Sequence, residues 1–259
     1  MDALTMLRLQ VEWGADEALD PDPYDRLRTV ERRAPIAPPT PVRPPPSTAM
    51  STATPTAASG SPTERALAAA GRAATVDALR EAIAAFDGCA LKDTATNLVF
   101  ATGDIDSGIL IVGEPPGSEE DRSGTPFAGR EGALLDAMLD SIGLTRAGVM
   151  LTPLLPWRPP GGRPPNPAEL AICLPFLHRL TVLMAPRMLL IAGGLAARTL
   201  LPGRRRGVSW VECPIPGAPS AFPAVAMPST SALLKTPTLR RDAWAALRLL
   251  RKRLNSEIE

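Results

Sequence analysis

The sequence is poor in cysteine, histidine and aromatic residues. Its three cysteines, spread over 259 residues, are too few and too scattered for a disulfide framework, so we expect a protein of the reducing cytoplasm. The single histidine, His178, lies in an apolar helical stretch and is expected to be structural. This composition argues against a small scaffold held together by disulfides.

Strong net charge is also absent. The formal net charge is +1, which by itself does not indicate a nucleic-acid partner. Two local clusters, Arg204–Arg206 and Arg240–Arg241, are candidates for phosphate contacts, and each fits a solvated face equally well. The charge pattern leaves both interpretations open.

Long apolar runs and a targeting segment are missing as well. No apolar run reaches the roughly 20 residues that a transmembrane helix needs. The amino terminus has no cationic segment followed by an apolar core. We therefore expect no membrane location.

Three regions of different composition divide the chain. Residues 1–33 begin with apolar side chains that fit a short amphipathic helix, which could tether a protein partner. Residues 34–62 are dominated by Pro, Thr, Ser and Ala, and we expect a disordered linker because they cannot bury enough apolar surface. Residues 63–259 form the predicted folded domain, whose first helices have Thr63 and Thr75 as candidate caps.

Apolar runs of strand length alternate with helical patterns in the predicted domain. The predicted strands are Ile109–Val112, Val149–Leu151, Met188–Ile191 and Phe222–Ala226, and the predicted helices are Glu131–Ile142, Ala168–Met184, Leu195–Leu201 and Thr238–Leu254. This alternation indicates an α/β fold, a three-layer α/β/α sandwich around a short, mainly parallel four-stranded sheet.

One loop concentrates the residues that chemistry needs. The segment Gly113–Gly129 leaves the first predicted strand and combines carboxylates, turn formers and one aromatic ring. Because open α/β sheets bind ligands at the carboxyl ends of their strands, this position favours a site. Glu114, Glu120 and Phe127 are the candidate functional residues.

The same loop resembles the first motif of type-4 uracil-DNA glycosylases. The matching blocks are Gly113-Glu114-x-Pro116-Gly117, Glu119–Arg122, Pro126-Phe127-x-Gly129-Arg130, Gly132–Gly143, Trp157–Pro160, Cys173–Phe176 and Leu190–Leu200. They follow the order and spacing of the family from Phe86 to Leu254. The resemblance implies an enzyme that extrudes a base from DNA and hydrolyses its N-glycosidic bond.

The resemblance also implies roles for the loop residues. Phe127 matches the aromatic ring on which uracil stacks, and the alternative is a core Phe in a Pro-Phe turn. Glu114 and Glu120 match acidic pocket positions, where a carboxylate orients water or supports charge on the sugar. Ordinary solvated charge is the alternative for both, and we expect Glu119 and Asp121 to be solvated.

The sequence departs from the family pattern at three pocket positions. Pro153 stands where the family has an Asn that pairs with the edge of uracil, and proline has neither a side-chain donor nor a backbone N–H. Ser229 stands where the family has a catalytic His, so we treat Ser229 as the candidate catalytic residue there. Pro115 replaces the usual Gly or Ala and removes a backbone donor beside the pocket.

The predicted DNA contacts lie on the rim of the pocket. They are Arg130, Arg158, Arg163, Lys235 and Leu233, the last of which, with Leu234, matches the family's wedge into the base stack. The alternative for this Leu pair is a helical turn that packs inward.

The family also implies an iron–sulfur cluster held by four cysteines. Only Cys89 and Cys173 match ligand positions, and Phe86 and Trp157 stand at the other two. We therefore expect no cofactor and no metal, with the two cysteines as buried packing residues.

Taken together, the resemblance implies a monomeric base-excision repair hydrolase that acts on DNA containing uracil or another damaged base. Pro153 and Ser229 keep two alternatives open. One is a catalytically weak or inactive relative that binds DNA or a protein partner, and the other is a glycosylase with an altered base preference.

Overall fold

The computed structural model describes residues 60–203 and 207–256. The predicted helical segment 1–33, nearly all of the linker 34–62 and the cluster Arg204–Arg206 lie outside the described residues. The described helices are α1 (Pro62–Arg72), α2 (Val76–Ala85), α3 (Ala90–Thr94), α4 (Ser118–Ser123), α5 (Gly129–Asp140), α6 (Pro167–Met184), α7 (Gly194–Leu200), α8 (Thr230–Lys235) and α9 (Arg240–Ser256). The described strands are β1 (Thr102–Gly103), β2 (Ile109–Gly113), β3 (Met150–Pro153), β4 (Met188–Ala192), β5 (Val211–Cys213) and β6 (Phe222–Met227).

Local capping interactions explain where the first helices begin. The Ser61 hydroxyl accepts a hydrogen bond from the Glu64 N–H and the Glu64 carboxylate accepts one from the Ser61 N–H, so Ser61 caps α1 in place of the expected Thr63. The Thr75 hydroxyl accepts from the Ala78 N–H at 3.1 Å and caps α2 as predicted.

The six strands form one sheet in the order β1-β3-β2-β4-β6-β5. The inner strands β3, β2, β4 and β6 are parallel and correspond to the four predicted strands. The two edge strands are antiparallel additions, so the predicted count of four strands was too low. The edge strands β1 and β5 are two and three residues long, and neither contains an apolar run long enough to be detected in the sequence.

The three predicted layers are confirmed. Successive side chains of a strand point to opposite faces, and Leu110 and Val112 join the core formed with α1, α2, α6 and α7. Ile109 and Ile111 join the other core, formed with α5, α8 and α9. Strand β2 is therefore buried on both faces of the sheet, as its unbroken apolar sequence predicts.

Helix α6 is the long core helix of the first face. By length and composition it is the one helix in the described ranges that could cross a membrane. Its side chains at Cys173, Phe176 and Leu180 are at most 2% exposed, and it packs on α1 and α2. These contacts are those of a core helix.

Candidate functional site

A pocket of about 390 Å³ lies at the carboxyl ends of β2, β4 and β6. Its wall combines the loop after β2, the first turns of α5, α7 and α8, and the segment from Pro159 to Pro165. The sequence-predicted residues in its lining are Glu114, Pro115, Glu120, Phe127, Arg163 and Ser229. The fold therefore brings the candidate loop Gly113–Gly129 together with Arg163 and Ser229.

Glu114 is held at the start of α7. Its Oε1 accepts a hydrogen bond from the Leu195 N–H at 2.8 Å. Burial raises the pKa of the Glu114 carboxyl, while the Leu195 N–H and the Arg198 guanidinium act in the opposite direction. Gly193 has φ +152°, and a methyl group there would overlap the Glu114 carboxylate. Glycine at 193 is thus what allows the carboxylate to occupy this position.

Glu120 closes the loop on itself. Its carboxylate accepts hydrogen bonds from the Gly117 N–H at 2.7 Å and from the Phe127 N–H at 2.5 Å. Burial raises the pKa of Glu120, and the two N–H donors lower it in part. The Glu120 carboxylate therefore holds Phe127 in position through the backbone N–H of Phe127.

Phe127 adopts a left-handed backbone conformation with φ +51°, which is unusual for a residue other than glycine. Its ring lies so close to the Gly113 backbone that a Cβ on Gly113 would come within 2.6 Å of the ring. The side chain is 6% exposed and belongs to the core under α5 and α9, yet it also lines the pocket. Its stacking role stays a prediction.

Arg146 holds the same loop from the carbonyl side, and sequence reasoning missed it. Its guanidinium donates hydrogen bonds to the carbonyls of Phe127 at 2.9 Å and Pro126 at 3.2 Å. It also pairs with Asp136 on α5 at 2.8 Å. No local pattern marks Arg146, because only the tertiary fold places it beneath the loop.

The three residues that differ from the family pattern do not all lie in the pocket. The Ser229 hydroxyl accepts a hydrogen bond from the Ala232 N–H at 3.2 Å, so Ser229 caps α8 while it lines the pocket. Pro115 also lines the pocket. Pro153 pairs in register with Gly113 but is buried beside a small separate cavity, and it is not part of the pocket wall. Base binding by Pro153 therefore does not fit its position.

Two of the predicted DNA contacts are cations that already face carboxylates. Arg163 donates two hydrogen bonds to Glu169, at 2.9 and 2.6 Å. Arg158 lies 3.9 Å from Asp121, which is 5% exposed and accepts a hydrogen bond from the Thr96 N–H at 2.8 Å. The expectation that Asp121 is solvated is therefore wrong, since it anchors a neighbouring turn.

The remaining predicted DNA contacts differ in exposure. Arg130 and Lys235 are exposed, as a contact with phosphate requires. Leu233 is 1% exposed and packs in the core, whereas the next residue, Leu234, is 39% exposed. A wedge role therefore does not fit Leu233, because its side chain faces inward.

Three further pocket residues were not predicted. Arg198 follows β4 on α7, Glu131 lies in the first turn of α5, and the Thr230 hydroxyl faces the Glu131 carboxylate at 3.4 Å. Arg198 lies on the helix that directly follows β4, and this closeness to a strand end was the available signal. Glu131 lies in the first turn of a helix, and no strand end marks it.

The layered fold and the pocket at the sheet's carboxyl edge define an α/β protein with a candidate ligand site. The family model described as the uracil DNA glycosylase superfamily matches residues 100–248. This chain belongs to that superfamily.

Curated relatives narrow the comparison to type-4 uracil-DNA glycosylases. The chain is 39% identical over 129 residues to the one from Pyrobaculum aerophilum, a match that covers 49% of this chain and 66% of the relative. It is 36% identical over 124 residues to the one from Thermotoga maritima, covering 48% and 65%. It is 42% identical over 110 residues to the one from Archaeoglobus fulgidus, covering 42% and 55%. The match thus spans just under two thirds of the first two relatives.

The comparisons contradict the expectation of a chain without a cofactor. The relatives are type-4 enzymes, which are iron–sulfur proteins, so the family implies a cluster that the cysteine count had led us to exclude. The Sγ atoms of Cys89 and Cys173 lie 3.8 Å apart, and their hydrogen bond lowers the pKa of Cys89 to about 7. Phe86 and Trp157 are buried nearby in the same core.

The side chains around this cysteine pair can be tested against the implied cluster. Within residues 60–203 and 207–256, no group of three or more His, Cys, Asp or Glu side chains could hold a metal ion. The pair supplies two thiolates, which do not by themselves fit a site built from four.

Proposed function

We propose that this protein is a DNA glycosylase of base-excision repair that hydrolyses the N-glycosidic bond of uracil or a related damaged base. The observation that carries this proposal is the Glu114 carboxylate, fixed at the carboxyl end of β2 in a pocket of about 390 Å³. A flipped base needs such a pocket, because its glycosidic bond is out of reach within the duplex stack. The superfamily match over residues 100–248 supports the same reaction class.

In this proposal each pocket residue has one task. Phe127 offers its ring to the flat face of the base. Glu114 orients a water molecule towards the sugar carbon and accepts its proton as the glycosidic bond breaks and the bond electrons leave with the base. The Ser229 hydroxyl can donate one hydrogen bond to the base, but it carries no charge.

The absence of a charged donor at Ser229 sets an expected rate penalty. Loss of one well-placed electrostatic donor costs about two to three orders of magnitude in rate. Arg198 lies on the pocket wall and supplies positive charge there. We therefore expect slow excision rather than the rate that an imidazole at this position would support.

The test is release of uracil from a labelled single-stranded oligonucleotide by the full chain. Glu114→Gln keeps the size of the side chain and an oxygen that can accept from the Leu195 N–H, and we expect it to abolish release. Glu119→Gln is the matched control, because Glu119 is a half-exposed carboxylate of the same loop. Absence of release from the unaltered chain, or equal release by Glu114→Gln, would overturn the proposal.

Folding must be compared in the same variants. Burial raises the pKa of Glu114 in the folded state, so folding favours its protonated form and the ionised form lowers stability at neutral pH. Glu114→Gln should therefore unfold at an equal or higher denaturant concentration. A loss of activity with undiminished stability identifies a chemical role.

A second candidate function is binding of DNA without excision. Two observations favour it: the Ser229 hydroxyl is engaged as a helix cap, and Pro153 lies outside the pocket. Ser229→His restores the family residue in the pocket wall and separates the two candidates. Tight binding without release in the unaltered chain, with release in Ser229→His, supports the binding function.

We further propose the wider arrangement that the sequence suggests. Residues 63–259 form the catalytic domain, residues 34–62 a linker, and residues 1–33 a segment that tethers a protein partner. The protein acts as a monomer on DNA in the cytoplasm. Proteolysis of the linker that releases an active domain would support this division.

A further inference from the structure

A second, apolar groove of about 290 Å³ lies between α5, α8 and α9. Leu134 and Met138 of α5 and Trp244 of α9 line it above the buried Leu233 of α8, and Trp244 is 47% exposed. Among the large apolar side chains in the described part of the chain, only a few are this exposed. A half-exposed indole beside an apolar groove is a feature that binding surfaces use.

The groove begins one helical turn behind the pocket. Leu134 follows the pocket residue Glu131 by three positions on α5, and Leu233 follows the pocket residue Thr230 by three positions on α8. Residues three apart on a helix lie on one face. On α5 the exposed Glu131 and the half-buried Leu134 therefore place the groove next to the pocket at the surface.

Positive charge surrounds Trp244. The described part of α9 carries six basic residues and one acidic residue, Asp242. Arg240 and Arg248 lie four positions before and after Trp244, which places all three on one face of the helix. Both arginines are exposed, and Arg240 also lines the groove. The surface is therefore an exposed aromatic ring between two exposed cations.

We propose that this groove and the Trp244 face bind the single-stranded DNA that flanks the base in the pocket. Bases stack on exposed aromatic rings whatever their identity, and cations beside the ring neutralise phosphates. A second copy of this chain fits less well, because it would bring one cationic helix against another. The identity of the bound strand rests on the proposed function, whereas the surface itself is tested independently.

The first experiment measures fluorescence anisotropy of a labelled, uracil-free single strand of about 20 nucleotides, titrated with the full chain. Trp244→Ala should raise Kd about tenfold, because the stacking face for one base is removed. Trp244→Phe keeps a stacking face and should restore most of the affinity. Leu67→Ala is the control, since Leu67 is 62% exposed on α1, across the sheet.

The second experiment tests the charges. Arg240→Gln and Arg248→Gln together should lower the slope of log Kd against log salt by about 0.7 for each phosphate that the arginines no longer neutralise. Arg72→Gln, an exposed cation at the end of α1, should leave the slope unchanged. An unchanged slope in the double variant would overturn the phosphate contacts.

The outcomes separate this surface from the excision activity. An unchanged Kd in Trp244→Ala overturns the surface, whether or not uracil is released. Trp244-dependent binding without uracil release supports the surface and counts against the glycosylase. Sedimentation that shows a dimer which Trp244→Ala dissociates would assign the groove to a second copy and overturn the DNA proposal.

Discussion

Replacing Arg146 by methionine removes the carbonyl-side support of the Phe127 loop. The guanidinium forms hydrogen bonds with two loop carbonyls and an ion pair with Asp136. Methionine retains most of the apolar stem but none of the donors. The left-handed backbone at Phe127 then keeps only the Glu120 carboxylate as its partner in the loop.

The contacts set the size of the effect. Hydrogen bonds from a charged donor contribute about 1.5–3 kcal/mol each, and the loop carbonyls are only partly buried, so the lower end applies. The side chains of the Arg146–Asp136 pair are 32% and 41% exposed, and the pair adds about 0–1 kcal/mol. We expect a loss of about 3 kcal/mol in the free energy of unfolding. We also expect excision to fall about 100-fold if the Phe127 ring is displaced by about 1 Å.

The assay combines urea denaturation with uracil release measured well below the unfolding midpoint. Arg146→Lys retains a charge and one donor and should recover part of both losses. Arg122→Met is the control, because Arg122 is an exposed cation of the same loop, paired with Glu119. If Arg146→Met keeps the stability and the kcat/KM of the unaltered chain, the loop does not depend on this guanidinium and the reasoning is refuted.

Three further predictions concern the pocket and its rim. Gly193→Ala should abolish excision, because its methyl group would displace the Glu114 carboxylate, and uracil release checks this. Burial raises the pKa of Glu114, so the fall of kcat/KM with decreasing pH should occur above the ordinary glutamate pKa of about 4.3. Arg198→Gln removes a cation that lowers the pKa of Glu114, so it should move this fall to still higher pH. A pH profile that is the same in Arg198→Gln would contradict the role of Arg198. Leu233→Ala should cost about 2–5 kcal/mol by urea denaturation, whereas Leu234→Ala should cost little stability.

Sequence patterns predicted the parts of the fold that local chemistry determines. The four parallel strands are short apolar runs, and burial on both faces requires such runs. The edge strand Val211–Cys213 and the six-residue helix Thr230–Lys235 are too short to produce a period. They form because the neighbouring strand and the Ser229 cap provide their hydrogen bonds.

The site was predictable only in part for a similar reason. Glu114 directly follows a strand, so the rule for sheet edges placed it correctly. Phe127 is supported by Glu120 and by Arg146, which lies 19 positions further along the chain, and no local pattern reports the contact with Arg146. Leu233 failed as a surface contact because a motif match does not show which side of a short helix faces the core.

The charged residues of the pocket determine how far the proposed reaction is slowed by Ser229 in place of the family His. A departing uracil carries negative charge, and three carboxylates, Glu114, Glu120 and Glu131, line the same wall. Burial raises the pKa of Glu114 and Glu120, which reduces this opposing charge as the pH falls, but ionised Glu114 is the form that accepts the proton of water. The leaving anion requires little negative charge in the pocket, whereas the base requires an ionised Glu114. These two requirements conflict unless a cation offsets the carboxylates. Arg198 lies beside Glu114 and lowers its pKa, so it favours the ionised base and attracts the leaving anion at once. If the chain excises uracil, catalysis should therefore depend on the charge of Arg198 more than on the hydroxyl of Ser229.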